Sequence, residues 1–105
     1  MNQFRLQATL NQLSAVRYTP VGIPVLELGL HHQSEVIEAN LARQLQFTMD
    51  AIALGEVALQ LADLPLGSEL ALQGFMAPRR KDSSFLVFHI QQAQAYYAGG
   101  ATVVV

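Results

Sequence analysis

The feature that most constrains this chain is a single change of hydrophobic period. Five stretches alternate apolar and polar residues one for one, which is strand spacing. One short stretch, between the third and the fourth, repeats its apolar residues at helical spacing. The first run is Phe4 to Leu13, where Phe4, Leu6, Ala8 and Leu10 alternate with Arg5, Gln7, Thr9 and Asn11. The second, Ile23 to Gln33, sets Leu26, Leu28 and Leu30 against Val25, Glu27, Gly29 and His31. The third, from about Arg43 to Leu54, sets Leu45, Phe47 and Met49 against Gln44, Gln46, Thr48 and Asp50, and its parity assigns Phe47 to the core. From Glu56 to Leu64 the apolar residues Val57, Leu61 and Leu64 fall at i, i+4 and i+7, and Pro65 ends that helix. The fourth run, Glu69 to Ala77, alternates Leu70, Leu72 and Gly74 with Glu69, Ala71 and Gln73. The fifth runs from Phe85 to about Tyr96, with Leu86, Phe88 and Ile90 as its expected buried face.

The resulting order, three strands, a helix, then two strands, is that of the OB fold. It predicts a mainly β chain: a five-stranded Greek-key barrel with one short helix between strands three and four. Other small mixed folds share the same string. Gly29 inside the second run predicts a bend or bulge of the kind a small barrel needs to close. The 105 residues fit one domain, expected over residues 1–98. Residues 99–105 form a C-terminal tail, expected either to be disordered or to add to a strand edge.

Composition narrows the function classes. There is no cysteine, so neither disulfides nor a thiolate metal site is available, which suits a reducing compartment. Apolar residues make up 51% and charged residues only 13%, which suggests that part of the surface is covered by another copy of the chain. The net charge of −2 argues against holding nucleic acid by bulk charge, so any such contact needs a local basic patch. No stretch of 18 apolar residues is present, and the start alternates polar and apolar residues unlike a signal peptide. The expectation is a cytoplasmic protein with no membrane contact.

The segment Pro78 to Ser84 holds Arg79, Arg80 and Lys81, three of the six basic residues, in the predicted loop between strands four and five. In OB folds that loop and the one between strands one and two flank the oligonucleotide groove. Clustered cations there can follow a phosphate backbone, although hairpin tips are polar in most proteins. Three neutralised phosphates give a log–log salt slope of about −2. Tyr18, in the first loop, and Phe85, on the outward parity of the fifth run, are the candidate stacking residues. Arg17 beside Tyr18 and Arg43 at the start of the third run are candidate phosphate contacts, and Gln46 can hydrogen-bond a base. Glu27, on the outward parity, would repel phosphate. His31 and His32 are adjacent in a strand and point to opposite faces, so they cannot chelate together. No zinc spacing, P-loop or nucleophile elbow occurs. The expectation is no metal, no cofactor and no catalytic residue.

The stretch Arg17-Tyr18-Thr19-Pro20-Val21-Gly22-Ile23-Pro24-Val25-Leu26, followed by Gly67-Ser68, Gln73-Gly74-Phe75 and the basic loop, resembles the PriB family of bacterial primosomal replication proteins, relatives of single-stranded DNA-binding protein. The resemblance spans roughly residues 4 to 96. It implies a homodimer of OB folds that binds single-stranded DNA, helps the restart helicase PriA reload the replication machinery at stalled forks, and hands on to DnaT. Arg43, Arg79, Arg80 and Lys81 match the positions of the family's DNA contacts. The chain departs from the pattern at two places: Gln46 stands where better-known members carry tryptophan, and Leu41 where they carry phenylalanine. Both changes remove stacking platforms. That leaves a second reading, an adaptor acting mainly through protein contacts with the helicase and with weak or no DNA binding.

Overall fold

Alternation becomes a closed barrel in the computed structural model, which describes residues 1–96 and 102–104. The elements are β1 (Phe4–Leu13), β2 (Arg17–Tyr18), β3 (Pro24–Glu38), β4 (Leu41–Leu54), α1 (Glu56–Ala62), β5 (Glu69–Pro78), β6 (Leu86–Tyr96) and β7 (Thr102–Val104). The sheet runs β1-β5-β6-β4-β3, and β3 returns to β1 to close the ring. β1 does this by changing neighbours. Phe4 to Thr9 pair with β5, and Thr9 to Leu13 pair with β3. The other closing contact is parallel, Ala51, Ile52 and Ala53 of β4 against Phe88, His89 and Ile90 of β6. The five predicted runs are β1, β3, β4, β5 and β6, and the helix lies between β4 and β5. The mainly β barrel with one short helix is therefore the fold.

Each strand supplies the interior with one parity. Leu10, Leu26, Leu28, Leu30, Leu70, Leu72, Phe88 and Ile90 are all buried. α1 closes one end of the ring with Ala58 and Leu61, both fully buried, while Val57 and Leu64 pack beside them. The helix stops at Ala62, two residues before its expected end, because Asp63 caps it and the Leu64 N–H donates to the Leu61 carbonyl ahead of Pro65. β1 carries an extra residue between Leu10 and Gln12, a bulge facing Gly29 of β3. A second irregularity lies on β6 opposite Gln73 and Gly74. At Gly74 a Cβ would sit 1.8 Å from the His89 carbonyl oxygen, so the strand crossing there requires glycine.

Three expectations change. The second and third runs are longer than the alternation suggested, because β3 and β4 continue as a paired ribbon to a turn at Ala39 and Asn40, whose φ values are 51° and 64°. Two successive positive φ angles are the geometry of a tight two-residue hairpin turn. Phe47, expected in the core, is 41% exposed. It keeps the inward parity but lies beyond the point where β1 leaves β3, and its ring rests against His32 with centroids 4.8 Å apart. Leu86, also expected inside, is exposed for a related reason: it opens β6 at the rim, where no layer lies above it. β7 pairs antiparallel with Gln94 to Tyr96 at the end of β6. The expected domain limit between residues 98 and 99 lies outside the described residues. Among the described residues no helix is long and apolar enough to cross a membrane.

Candidate nucleic-acid interface

The outward parity of β3 and β4 lines an open groove of about 750 Å³. The segment after β1 borders one side, with Ser14 and Arg17, and the start of the β5–β6 loop borders the other, with Arg79. Glu27 projects from β3, Asp50 and Ile52 from β4, and His89 from β6. The loop between β1 and β3 is held in shape by local bonds. The Ser14 hydroxyl accepts from the Glu27 N–H at 3.0 Å, and the Thr19 hydroxyl accepts from the Ile23 N–H at 3.0 Å.

Charge in the groove is paired. Arg17 donates to Glu27 at 2.7 Å, and Arg79 donates to Asp50 at 2.6 Å with its second nitrogen 3.9 Å from Glu27. Two arginines and two carboxylates thus alternate along the groove with no net charge. Glu27 does not stand as an isolated repulsive charge, because it sits between two guanidinium groups. All four side chains are between 41% and 68% exposed, so each pair contributes at most about 1 kcal/mol and can exchange partners with an incoming anion.

The other candidate residues divide into three places. Arg80 and Lys81 are exposed at the β5–β6 loop tip and make no ion pair among the described residues. That loop closes on itself: the Arg79 N–H donates to the Phe85 carbonyl at 2.8 Å, and the Ser83 N–H donates to the Arg80 carbonyl at 2.9 Å. Phe85 at its foot is 75% exposed, and Tyr18 is 63% exposed on the face of β2 opposite to Arg17. Gln46 is exposed on the outward parity of the ribbon, four residues from Asp50 and so about 13 Å along the same face. Arg43 leaves the ribbon on the opposite parity and pairs with Glu38. The structure brings Arg17 and Arg79 into the groove, places Arg80, Lys81 and Phe85 in the loop beside it, leaves Tyr18 on the face of β2 opposite to Arg17, and sets Arg43 apart.

His89, set aside as a metal or catalytic residue for want of a partner, and Phe75, read only as part of the family motif, were not among the nucleic-acid contacts expected from sequence. Both have the outward parity of their strands, and that was the available signal: Leu72, Gly74, Phe88 and Ile90 on either side are buried. The two rings stack with centroids 4.8 Å apart and planes 13° from parallel. Partial burial holds the His89 pKa below its ordinary value of 6.5, so the ring is neutral at pH 7. No cluster of three metal-ligating side chains occurs among the described residues.

A second surface lies at the barrel end away from the helix. Phe4, Leu6, Phe47, Met49, Met76 and Leu86 surround an apolar recess of about 310 Å³ floored by Phe88. Next to it, β1 from Phe4 to Ala8 has a strand partner on one side only among the described residues.

Residues 2–92 match the model of a family described as another single-strand binding protein family. The replication restart protein PriB of Bordetella pertussis is 51% identical over 94 residues, covering 90% of this chain and 88% of that protein. The replication restart protein PriB of Nitrosomonas europaea is 33% identical over 93 residues, covering 89% and 86%. Among solved structures, PriB from Ralstonia solanacearum superposes with a TM-score of 0.83 at 34% identity, covering 92% of this chain and 99% of that one. The single-stranded DNA binding protein from Thermus aquaticus gives a TM-score of 0.75 at 23% identity over 94% of this chain and 52% of its own, a likeness of fold.

Proposed function

The chain belongs to the PriB family of single-strand binding proteins, and on that premise we propose that it binds single-stranded DNA as an accessory protein of replication restart. In this reading it assists PriA in reloading the replicative machinery at stalled forks, passes the complex to DnaT, acts as a homodimer in the cytoplasm, and catalyses no reaction. The observation that carries the reading is the groove lined by Arg17 on one side and Arg79 on the other, with Arg80 and Lys81 exposed at the tip of the loop that supplies Arg79. Phosphates follow the loop cations, and the groove arginines exchange their carboxylate partners for phosphate oxygens. Phe85 supplies an exposed ring beside the groove, Tyr18 is reached only by a strand that turns over the edge of β2, and Gln46 extends the face along the ribbon as a hydrogen-bonding side chain.

Fluorescence anisotropy of a labelled oligothymidine at two salt concentrations tests the reading. Wild type binds at low salt and weakens as salt rises. The variant with Arg79, Arg80 and Lys81 all changed to alanine binds more weakly and with a salt slope shallower by about 2. Unchanged affinity and slope in that variant would remove the loop from the interface. A second reading, an adaptor that meets the helicase chiefly through protein contacts, is favoured by the internal pairing of charge in the groove. It predicts tight helicase binding with no DNA binding even at low salt.

A further inference from the structure

One strip at the groove joins two stacked rings to an apolar neighbour. Phe75 of β5, His89 of β6 and Ile52 of β4 are consecutive cross-strand neighbours, Phe75 opposite His89 and His89 opposite Ile52. They form an apolar and aromatic row that reaches the groove at His89 and Ile52, beside Glu27, Asp50 and the paired arginines. Phe75 covers one face of the His89 ring, and His89 itself lines the groove beside Ile52.

The two histidines with a ring neighbour differ in their hydrogen bonding. His32 uses both ring nitrogens, at 2.5 Å from the Gln7 carbonyl and 2.8 Å from the Ser34 hydroxyl. Neither ring nitrogen of His89 is hydrogen-bonded within the protein among the described residues, and no buried polar side-chain atom there lacks a partner. The His89 nitrogens are therefore open to water and to a ligand. A flat ring backed by a second ring, with a free donor and a free acceptor at its edge, matches one ligand chemistry. A nucleobase has a π face to stack and an edge of donors and acceptors.

We propose that the Phe75–His89 pair is a nucleobase subsite in the groove, where one base stacks on the imidazole and its edge meets the imidazole nitrogens. This rests on the single-stranded DNA reading above. The subsite occupies β5 and β6, whereas Gln46, where family resemblance expects a stacking ring, lies on the β3–β4 ribbon. Arg79 stands over the same groove, so a phosphate at its guanidinium and a base at His89 can belong to one strand.

The test compares an oligothymidine with an abasic oligonucleotide of the same length, which keeps the phosphates and lacks the bases. His89→Ala lowers affinity for oligothymidine about tenfold and leaves affinity for the abasic strand unchanged. His89→Phe, which restores a ring, recovers most of the loss. Phe75→Leu keeps apolar volume behind the imidazole and gives a smaller loss of the same kind, and it serves where the alanine variant fails to fold. Equal loss on both strands, or no loss on either, overturns the subsite while leaving DNA binding intact. Absence of wild-type binding to both strands at low salt overturns the DNA reading and the subsite together.

Discussion

At Gly74 and Gly29 the same residue type sits in two strands under different constraints. A Cβ at Gly74 would meet the main-chain oxygen of His89 at 1.8 Å, and backbone cannot rotate out of the way. A Cβ at Gly29 would meet the Gln12 side chain, with Oε1 at 3.2 Å and Cβ at 3.3 Å; the amide tip can swing aside, and the Cβ contact asks the bulged strand to give by only a few tenths of an ångström. Gly74→Ala is therefore expected to cost about 3 kcal/mol or more, by forcing β5 off β6, and Gly29→Ala about 1 kcal/mol or less. Urea unfolding midpoints of the two variants check this ordering. Similar midpoints would mean that the β5–β6 crossing relaxes without cost. Alternation marked Gly29 as an interruption of a strand and set Gly74 among the inward residues of the fourth run, so it did not rank them, because the rank depends on which atom lies across the sheet. Phe47 and Leu86 show the same limit. Their parity was readable and correct, yet parity does not say where along a strand the barrel interior ends.

At the scale of elements, the β3–β4 pair and the two loops beside it decide how much free charge the groove offers. Glu27 was readable as outward-facing from the alternation around it. Its partners were not, because Arg17 and Arg79 reach it from loops on either side, and Arg79 meets Asp50 across a separation of 29 residues. The period change that placed α1, and the five alternating runs, were local patterns. The charge network is a product of barrel closure. The carboxylates compete with phosphate for the same guanidinium groups, so removing one should free an arginine. Asp50→Asn is expected to tighten binding of oligothymidine up to about fivefold, the size set by an exposed ion pair, and to steepen its salt dependence. Weaker binding in Asp50→Asn would show that the carboxylate positions Arg79 for DNA and does not compete with it. His89 and Phe75 belong to this scale too. Each is unremarkable in its own strand, and only the register of β5 on β6 makes them a pair.

At the scale of the whole molecule, the question is what covers the end of the barrel that the helix does not close. Phe4, Phe47 and Leu86 are between 41% and 56% exposed around one apolar recess, and Val36, Ile37 and Leu41 are exposed on the ribbon beyond. A small chain with 13% charged residues has little polar surface to surround so much apolar area. The half of β1 from Phe4 to Ala8 lies beside the recess with one edge unpaired among the described residues, and an unpaired strand edge beside an apolar patch suits a second copy of the same chain, edge to edge about a two-fold axis. Light scattering at micromolar concentration should then give twice the 11.5 kDa chain mass. Phe4→Glu combined with Leu86→Glu, which places charge in the recess without touching Leu10, Leu26 or Phe88 in the core, should shift the mass toward that of one chain and leave the melting temperature of the monomer measurable. Each protomer of a dimer brings one groove, so the same pair of substitutions should also weaken binding of an oligonucleotide long enough to reach both grooves far more than binding of a short one. A single-chain mass for the wild type would refute the dimer, and equal losses on long and short strands would refute its part in DNA binding.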